Sequence, residues 1–196
     1  MKLVGLAAAG LNLPAHAQSP LKILVLGGTG FIGPHMVQYA VSRGHEVSIF
    51  SRGNRRLDIP GVEHLIGDRN DNHDALIGRS WDIILDNNAQ DYRWVQTSTE
   101  LFRHVVEHYI IVSSISAYSA EGFGYDNWQR LVFEPMIDED YERLRPPEGW
   151  SDRDDAPYGL MKALCEDIVH DAFPDRCTVV RPVSYTHLTL PTNREV

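Results

Sequence analysis

The feature that most constrains the fold is the run Leu21-Lys22-Ile23-Leu24-Val25-Leu26, almost wholly apolar, which stops abruptly at Gly27-Gly28-Thr29-Gly30-Phe31-Ile32-Gly33. A short apolar run without polar alternation is the pattern of a parallel strand buried on both faces. Beyond the glycines, Met36, Val37, Ala40 and Val41 recur at spacings that put them on one side of a helix, which Gly44 ends. The glycines satisfy both G-x-x-G-x-x-G (Gly27, Gly30, Gly33) and G-x-G-x-x-G (Gly28, Gly30, Gly33). A glycine run alone is equally a structural tight turn. Placed between a buried strand and a helix, it exposes backbone N–H groups at the positive helix end, where the pyrophosphate of a dinucleotide binds. A Cβ at the turn would obstruct both the phosphate and the packing of helix on strand.

The same alternation continues downstream. Glu46 to Phe50, Val62 to Ile66, Trp81 to Leu85 and Tyr109 to Val112 read as further strands, with helical stretches near Asp74 to Ile77 and from Trp94 to His108. A helix from about Pro157 to His170 and a strand from Cys177 to Val180 follow. Alternating strands and helices predict an α/β fold, a Rossmann-type doubly wound parallel sheet. Between them, Glu121 to Asp155 is rich in charge, Pro, Trp and Tyr and reads as an irregular excursion over the site. There are no internal repeats.

At 196 residues the chain has room for one such domain, and its 43% hydrophobic and 23% charged residues are ordinary globular usage. A net charge of -9 argues against a nucleic-acid partner, whose non-specific affinity needs clustered Lys and Arg. A small-molecule substrate is the better fit. The two cysteines, Cys165 and Cys177, lack zinc-site spacing and read as buried thiols. His104 and His108 fall one helical turn apart but have no third metal ligand, so they read as a solvated helix face and no metal is expected.

Residues 1–18 (MKLVGLAAAGLNLPAHAQ) combine Lys2, a small-residue apolar run and an Ala15-His16-Ala17 cleavage pattern, so they read as a signal peptide cut after Ala17. The mature chain would then be periplasmic or secreted. The alternative is an Ala-rich leader on a cytoplasmic enzyme. The run is too short, and broken by Pro14, to serve as a membrane anchor.

Selectivity for the adenosine ribose is written about twenty residues past the glycine loop, where an acidic residue would accept from the 2′-OH of NAD. Ser51-Arg52-Gly53 stands there, with Arg55 and Arg56 beyond and no carboxylate. A guanidinium suits a 2′-phosphate, so NADP is the expected cofactor, with NAD possible and a solvated basic loop the alternative. Asp68, past the third strand, is placed to meet the adenine amine.

Tyr158-Gly159-Leu160-Met161-Lys162 sets a phenol and an ammonium on one helix face. An adjacent cation favours a phenolate, which fits such a pair for proton exchange. Ser113-Ser114 ends the fifth strand, the carboxyl edge where parallel-sheet sites lie. Taken alone, Ser114 is as readily a hydroxyl that caps its own turn.

With GGTGFIG, Val112-Ser113-Ser114-Ile115-Ser116-Ala117-Tyr118, the Tyr158/Lys162 pair and Arg181-Pro182, the chain resembles the short-chain dehydrogenase/reductase superfamily from about Leu21 to Pro182. The likeness is to its extended or atypical branch, the NAD-dependent epimerase/dehydratase family. That resemblance implies that Ser114 orients a substrate hydroxyl or carbonyl. It implies that Tyr158 is the general acid/base, that Lys162 holds the nicotinamide ribose and tunes the tyrosine, and that Asn87, Asn88 and Ala89 line the cofactor. It implies hydride plus proton transfer on a sugar-nucleotide-like or polyol substrate. The rival expectation is a non-catalytic dinucleotide-binding or RNA-associated relative. After Pro182 the family continues with a glycine-containing segment and a substrate-binding region. Residues 183–196 do not fit that pattern: they read as a foreign tail on an amino-terminal fragment, with a short genuine β extension as the alternative, and a fragment that binds cofactor without turning over substrate is a further expectation.

Overall fold

The computed structural model describes residues 19–118, 139, 141–151 and 156–182. Six strands, β1 (Lys22–Leu26), β2 (Glu46–Ser51), β3 (Glu63–Ile66), β4 (Trp81–Asp86), β5 (Val106–Val112) and β6 (Cys177–Val180), form one parallel sheet in the order β3-β2-β1-β4-β5-β6. Among the described residues three helices cover it: α1 (Gly33–Ser42), α2 (Tyr92–Phe102) and α3 (Tyr158–Ala172). The expected doubly wound architecture is present.

The first strand shows why the apolar run lacks alternation. Ile23 and Val25 point into a cluster with Val37 of α1, Val47 and Ile49. Leu24 and Leu26 point the other way, into the larger cluster that holds Tyr92, Val95 and Phe102 of α2 and Cys165 and Val169 of α3. Both faces of β1 are therefore core, and each apolar side chain contributes roughly 1.5–3 kcal/mol by leaving water. Gly44, at φ +83°, closes α1 with its N–H on the Val41 carbonyl.

Four expectations are corrected. The stretch from Trp94 to His108 is not one helix: α2 stops at Phe102 and β5 begins at Val106, which pairs with Trp81. Exposed Glu107 disguises the start of this strand, because only its sheet neighbours mark it as extended. His104 and His108 consequently share no helix face, and His108 Nε2 instead meets Thr178 Oγ1 at 2.8 Å. Asp74 to Ile77 shrinks to a single 3-10 turn, Asp74–Leu76. Of the two thiols only Cys165 is buried, whereas Cys177 lies half-buried on β6 beside His170 Nδ1 at 3.4 Å.

The reading of residues 1–18 as a leader, most of the Glu121 to Asp155 excursion, and the tail 183–196 lie outside the described residues. Among the described residues no helix is long and apolar enough to cross a membrane, and no His/Cys/Asp/Glu group could hold a metal.

Candidate active site at the carboxyl edge of the sheet

The strand order reverses between β1 and β4, and that switch point is where open α/β sheets form a ligand crevice. The glycine loop leaves β1 there. Gly27 takes φ +82°, and a Cβ on it would lie 2.6 Å from Asn88 Cβ, in the turn that leaves β4. A Cβ on Gly33 would come within 2.5 Å of the Gly28 carbonyl, and one on Gly28 within 2.9 Å of Ile49. The backbone of the loop is thus packed as closely as glycine permits. Half-buried Thr29 and Ile32, exposed Phe31 and exposed Gly30 complete it, and Gly30 donates to the Gly27 carbonyl at 3.1 Å. No side chain caps α1, whose Pro34 sits in the first turn. An uncapped helix end behind a glycine-rich loop fits a pyrophosphate. Replacing Gly33 by alanine is expected to weaken dinucleotide binding at least about tenfold and to cost about 1–3 kcal/mol of stability. Fluorescence titration and urea unfolding check this, and wild-type values in both would contradict the close packing.

Beyond β2, Gly53 takes φ +76° and its N–H meets Ser51 Oγ at 3.3 Å, which turns Arg52 outward. Arg52, Arg55 and Arg56 are all exposed, and among the described residues none of them enters an ion pair. At the end of β3, Asp68 and Asn72 pair across a short turn. Asp68 Oδ1 accepts from the backbone and side-chain nitrogens of Asn70 at 2.9 and 2.7 Å, and Asn70 Oδ1 accepts from Trp94 Nε1 at 2.9 Å. One oxygen of Asp68 therefore organises its own turn.

Beneath these loops lies an ion pair that the sequence reading does not single out. Asp86, fully buried at the end of β4, accepts from Arg69 at 2.7 and 2.9 Å, from the Tyr109 hydroxyl at 2.9 Å and from the Asn88 amide at 3.0 Å. Arg69 also donates to Ser98 Oγ and to the Asn88 carbonyl. Burial pushes the Tyr109 phenol well above its usual range and keeps it a donor. The turn holding Asn88 and Ala89 is thereby fixed from below.

Lys162 reaches that turn from α3. Only 5% exposed, its Nζ donates to the Ala89 carbonyl at 2.7 Å and to the Val112 carbonyl at 3.0 Å, at the ends of β4 and β5. Burial draws its pKa below the usual lysine value, opposed by nearby Asp86 and Glu166. Tyr158, 55% exposed, lies one turn earlier, with its ring centroid 5.8 Å from Lys162 Nζ. Gly159 lets α3 start there, because a Cβ would overlap the Ser116 carbonyl. Ser114 caps the 3-10 turn Ile115–Ala117, accepting from the Ser116 amide at 3.1 Å and donating to Ser116 Oγ at 3.2 Å. Its hydroxyl thus has the structural task foreseen for it, at the same rim as Tyr158. The arrangement sets a buried ammonium, a solvent-facing phenol and a strand-end hydroxyl at the edge of the sheet where the glycine loop lies.

Ser113, next to Ser114, is engaged elsewhere. Its hydroxyl donates in a short bond to Glu166, which is fully buried on α3 and also accepts from Arg143 and Arg181. Burial alone would raise the Glu166 pKa, but hydrogen bonds from Arg181, Ser113 and Arg143 hold it below the usual glutamate value.

Residues 23–186 match the profile of the NAD dependent epimerase/dehydratase family. The chain belongs to that family. The 2-alkyl-3-oxoalkanoate reductase of Stenotrophomonas maltophilia is 29% identical over 76% of this chain and 46% of its own. The chloroplast stem-loop binding protein of 41 kDa b of Arabidopsis thaliana is 32% identical over 54% of this chain and 32% of its own. Among solved structures, the UDP-glucose 4-epimerase of Thermus thermophilus in complex with NAD superposes with a TM-score of 0.59 at 20% identity, over 82% of this chain and 54% of that one. That likeness establishes the shared epimerase/dehydratase fold. The chain spans about half or less of the length of these relatives.

Proposed function

We propose that this chain carries the cofactor-binding and acid–base part of an NADP-dependent oxidoreductase, epimerase or dehydratase acting on a hydroxyl or carbonyl of a sugar-nucleotide-like or polyol substrate. The observation that carries the reading is Lys162, an ammonium withdrawn from water and held by the carbonyls of Ala89 and Val112 beneath the Tyr158 ring. Burying a lysine is costly unless its charge has a task, and perturbed cations in a crevice mark functional sites. Family membership supplies the reaction class.

On this reading the loop of Gly27, Gly28, Thr29, Gly30, Phe31, Ile32 and Gly33 cradles the pyrophosphate, although the Gly27 and Gly30 amides are spent on the Phe50 and Gly27 carbonyls and serve to shape it. Arg52 takes the 2′-phosphate, Asp68 the adenine amine and Asn88 the face of the loop. Two of the three Lys162 N–H donors are used by the protein, which leaves the third for a ribose hydroxyl. When bound, the nicotinamide supplies a hydride acceptor or donor. Tyr158 gives or takes the proton at its phenol oxygen, Lys162 stabilises negative charge developing there, and Ser114 holds the reacting substrate oxygen. The exposure of Tyr158 gives the substrate access to it.

Fluorescence titration tests the cofactor assignment. NADPH is expected to bind at least about tenfold more tightly than NADH, the value of one charge-assisted hydrogen bond, and Arg52→Ala is expected to remove the preference. Equal affinities, or tighter NADH, would overturn the NADP choice. No binding of either would overturn the function itself.

The likeness to a stem-loop binding protein supports one rival, an RNA-associated role with Arg52, Arg55 and Arg56 on phosphates. Three exposed arginines on a chain of net charge -9 make a small footprint for RNA. A single-digit-micromolar dissociation constant for a stem-loop RNA at physiological salt would favour that rival.

A further inference from the structure

Glu166 is a buried charge that the chemistry above does not use. It is 0% exposed, yet its carboxylate collects donors from three separate parts of the chain. Ser113 Oγ comes from the end of β5, Arg181 Nε (2.9 Å) and Nη2 (2.7 Å) from beyond β6, and Arg143 Nη1 (3.1 Å) from the segment 141–151. Arg143 also grips Asp167 on α3, and Arg181 donates to the Tyr118 hydroxyl at 3.0 Å with its guanidinium over that ring.

The arrangement has a geometric consequence. Lys162 and Glu166 are one turn apart on α3, and they hold the last residue of β5 and the one that follows it: Lys162 the Val112 carbonyl, Glu166 the Ser113 hydroxyl. Two attachments about 6 Å apart along a helix fix both its slide and its rotation, whereas one would leave it free to pivot. Tyr158 lies one turn before Lys162 on the same face, and Ser114 follows Ser113. The clamp therefore sets where the phenol stands relative to the strand-end hydroxyl.

Stability alone does not account for such a device. Buried ion networks contribute little over well-packed apolar side chains of similar volume, and their attested use is to specify register. We propose that Glu166 is a positioning residue of the acid–base site: its carboxylate holds α3 in register against β5, so that Lys162 and Tyr158 face the nicotinamide end of the dinucleotide, and it fastens segment 141–151 to the same helix. The inference rests on the function proposed above and extends it to a residue outside the Ser114, Tyr158 and Lys162 set.

The test separates the two ends of the cofactor. NADPH and 2′-phospho-ADP-ribose, which lacks the nicotinamide, are titrated against the wild-type chain, Glu166→Gln and Ser113→Ala, with circular dichroism and Tm reporting folding. In Glu166→Gln, NADPH is expected to bind about five- to tenfold more weakly while 2′-phospho-ADP-ribose keeps its wild-type affinity, because only the α3 side of the crevice moves. Ser113→Ala leaves the arginine pairs intact and is expected to shift the same ratio in the same direction by a smaller factor. It decides the matter if Glu166→Gln does not fold. Wild-type affinities for both ligands in a folded variant, or equal losses for both, would overturn the positioning role and leave Glu166 a structural clip. A wild-type chain that binds neither ligand would instead remove the proposed function, a distinguishable result.

Discussion

Tyr158→Phe is expected to lower turnover by about 10²–10⁴-fold while leaving NADPH affinity within about twofold of wild type, since a general acid/base contributes on that scale to the transition state and little to cofactor binding. The phenol oxygen is what the substitution removes. Its ring, which lies over Lys162 at 5.8 Å, stays, so the packing at the start of α3 is kept. The measurement is a rate comparison on the substrate-competent protein together with a cofactor titration. A variant that retains full activity would remove Tyr158 from the acid–base role, and one that loses NADPH binding as well would point to a structural role for the phenol.

Asp86→Ala is expected to destabilise the fold by about 3–5 kcal/mol, the usual consequence of leaving a buried cation without its partner. Arg69 is 7% exposed, its Nε already lacks a hydrogen-bond partner, and the substitution would leave its buried charge with only the neutral acceptors Asn88 O and Ser98 Oγ and the Tyr109 hydroxyl without its acceptor. Against a typical domain stability of about 5–15 kcal/mol the loss is large. Combining Asp86→Leu with Arg69→Met is expected to restore most of it, because an apolar pair of similar volume replaces the ionic one without an orphan charge. Urea midpoints of the single and double variants check this. A cost below about 1 kcal/mol for the single change would mean that water reaches Arg69.

The parts of the molecule legible in the sequence are those that local chemistry dictates. The apolar run into Gly27 to Gly33 specifies β1 and α1, because a strand buried on both faces and a glycine turn each leave a short-range signature. Tyr158 and Lys162 are visible through helical spacing, and the structure brings the ring and the ammonium together. What escapes such reading depends on distant partners. The first three residues of β5 resemble a helix end until Trp81 pairs with Val106. Glu166 lies between Cys165 and Asp167, one turn beyond Lys162, and Asp86 ends a largely apolar strand. A charge inside an apolar pattern is the available signal, but Arg69, Arg143 and Arg181 lie 17, 23 and 15 residues away from the carboxylates they serve. The hydroxyl of Ser114 stands at the expected edge, and its capping bond to Ser116 is the reading that needs no tertiary information.

The crossover at the switch point also sets an order of assembly. The glycine loop has its neighbour in Asn88, and Asn87 ties back to the Gly27 carbonyl across 60 residues of chain. A ribosome must therefore deliver β4 before the phosphate cradle that begins at residue 27 has a floor. Lys162 closes onto Ala89 across a further 73 residues, so the α3 side of the crevice is completed last. Contacts of such sequence separation are slow to form. A nascent chain would pass through a stage in which the glycine loop has its floor and α3 is not yet docked against it.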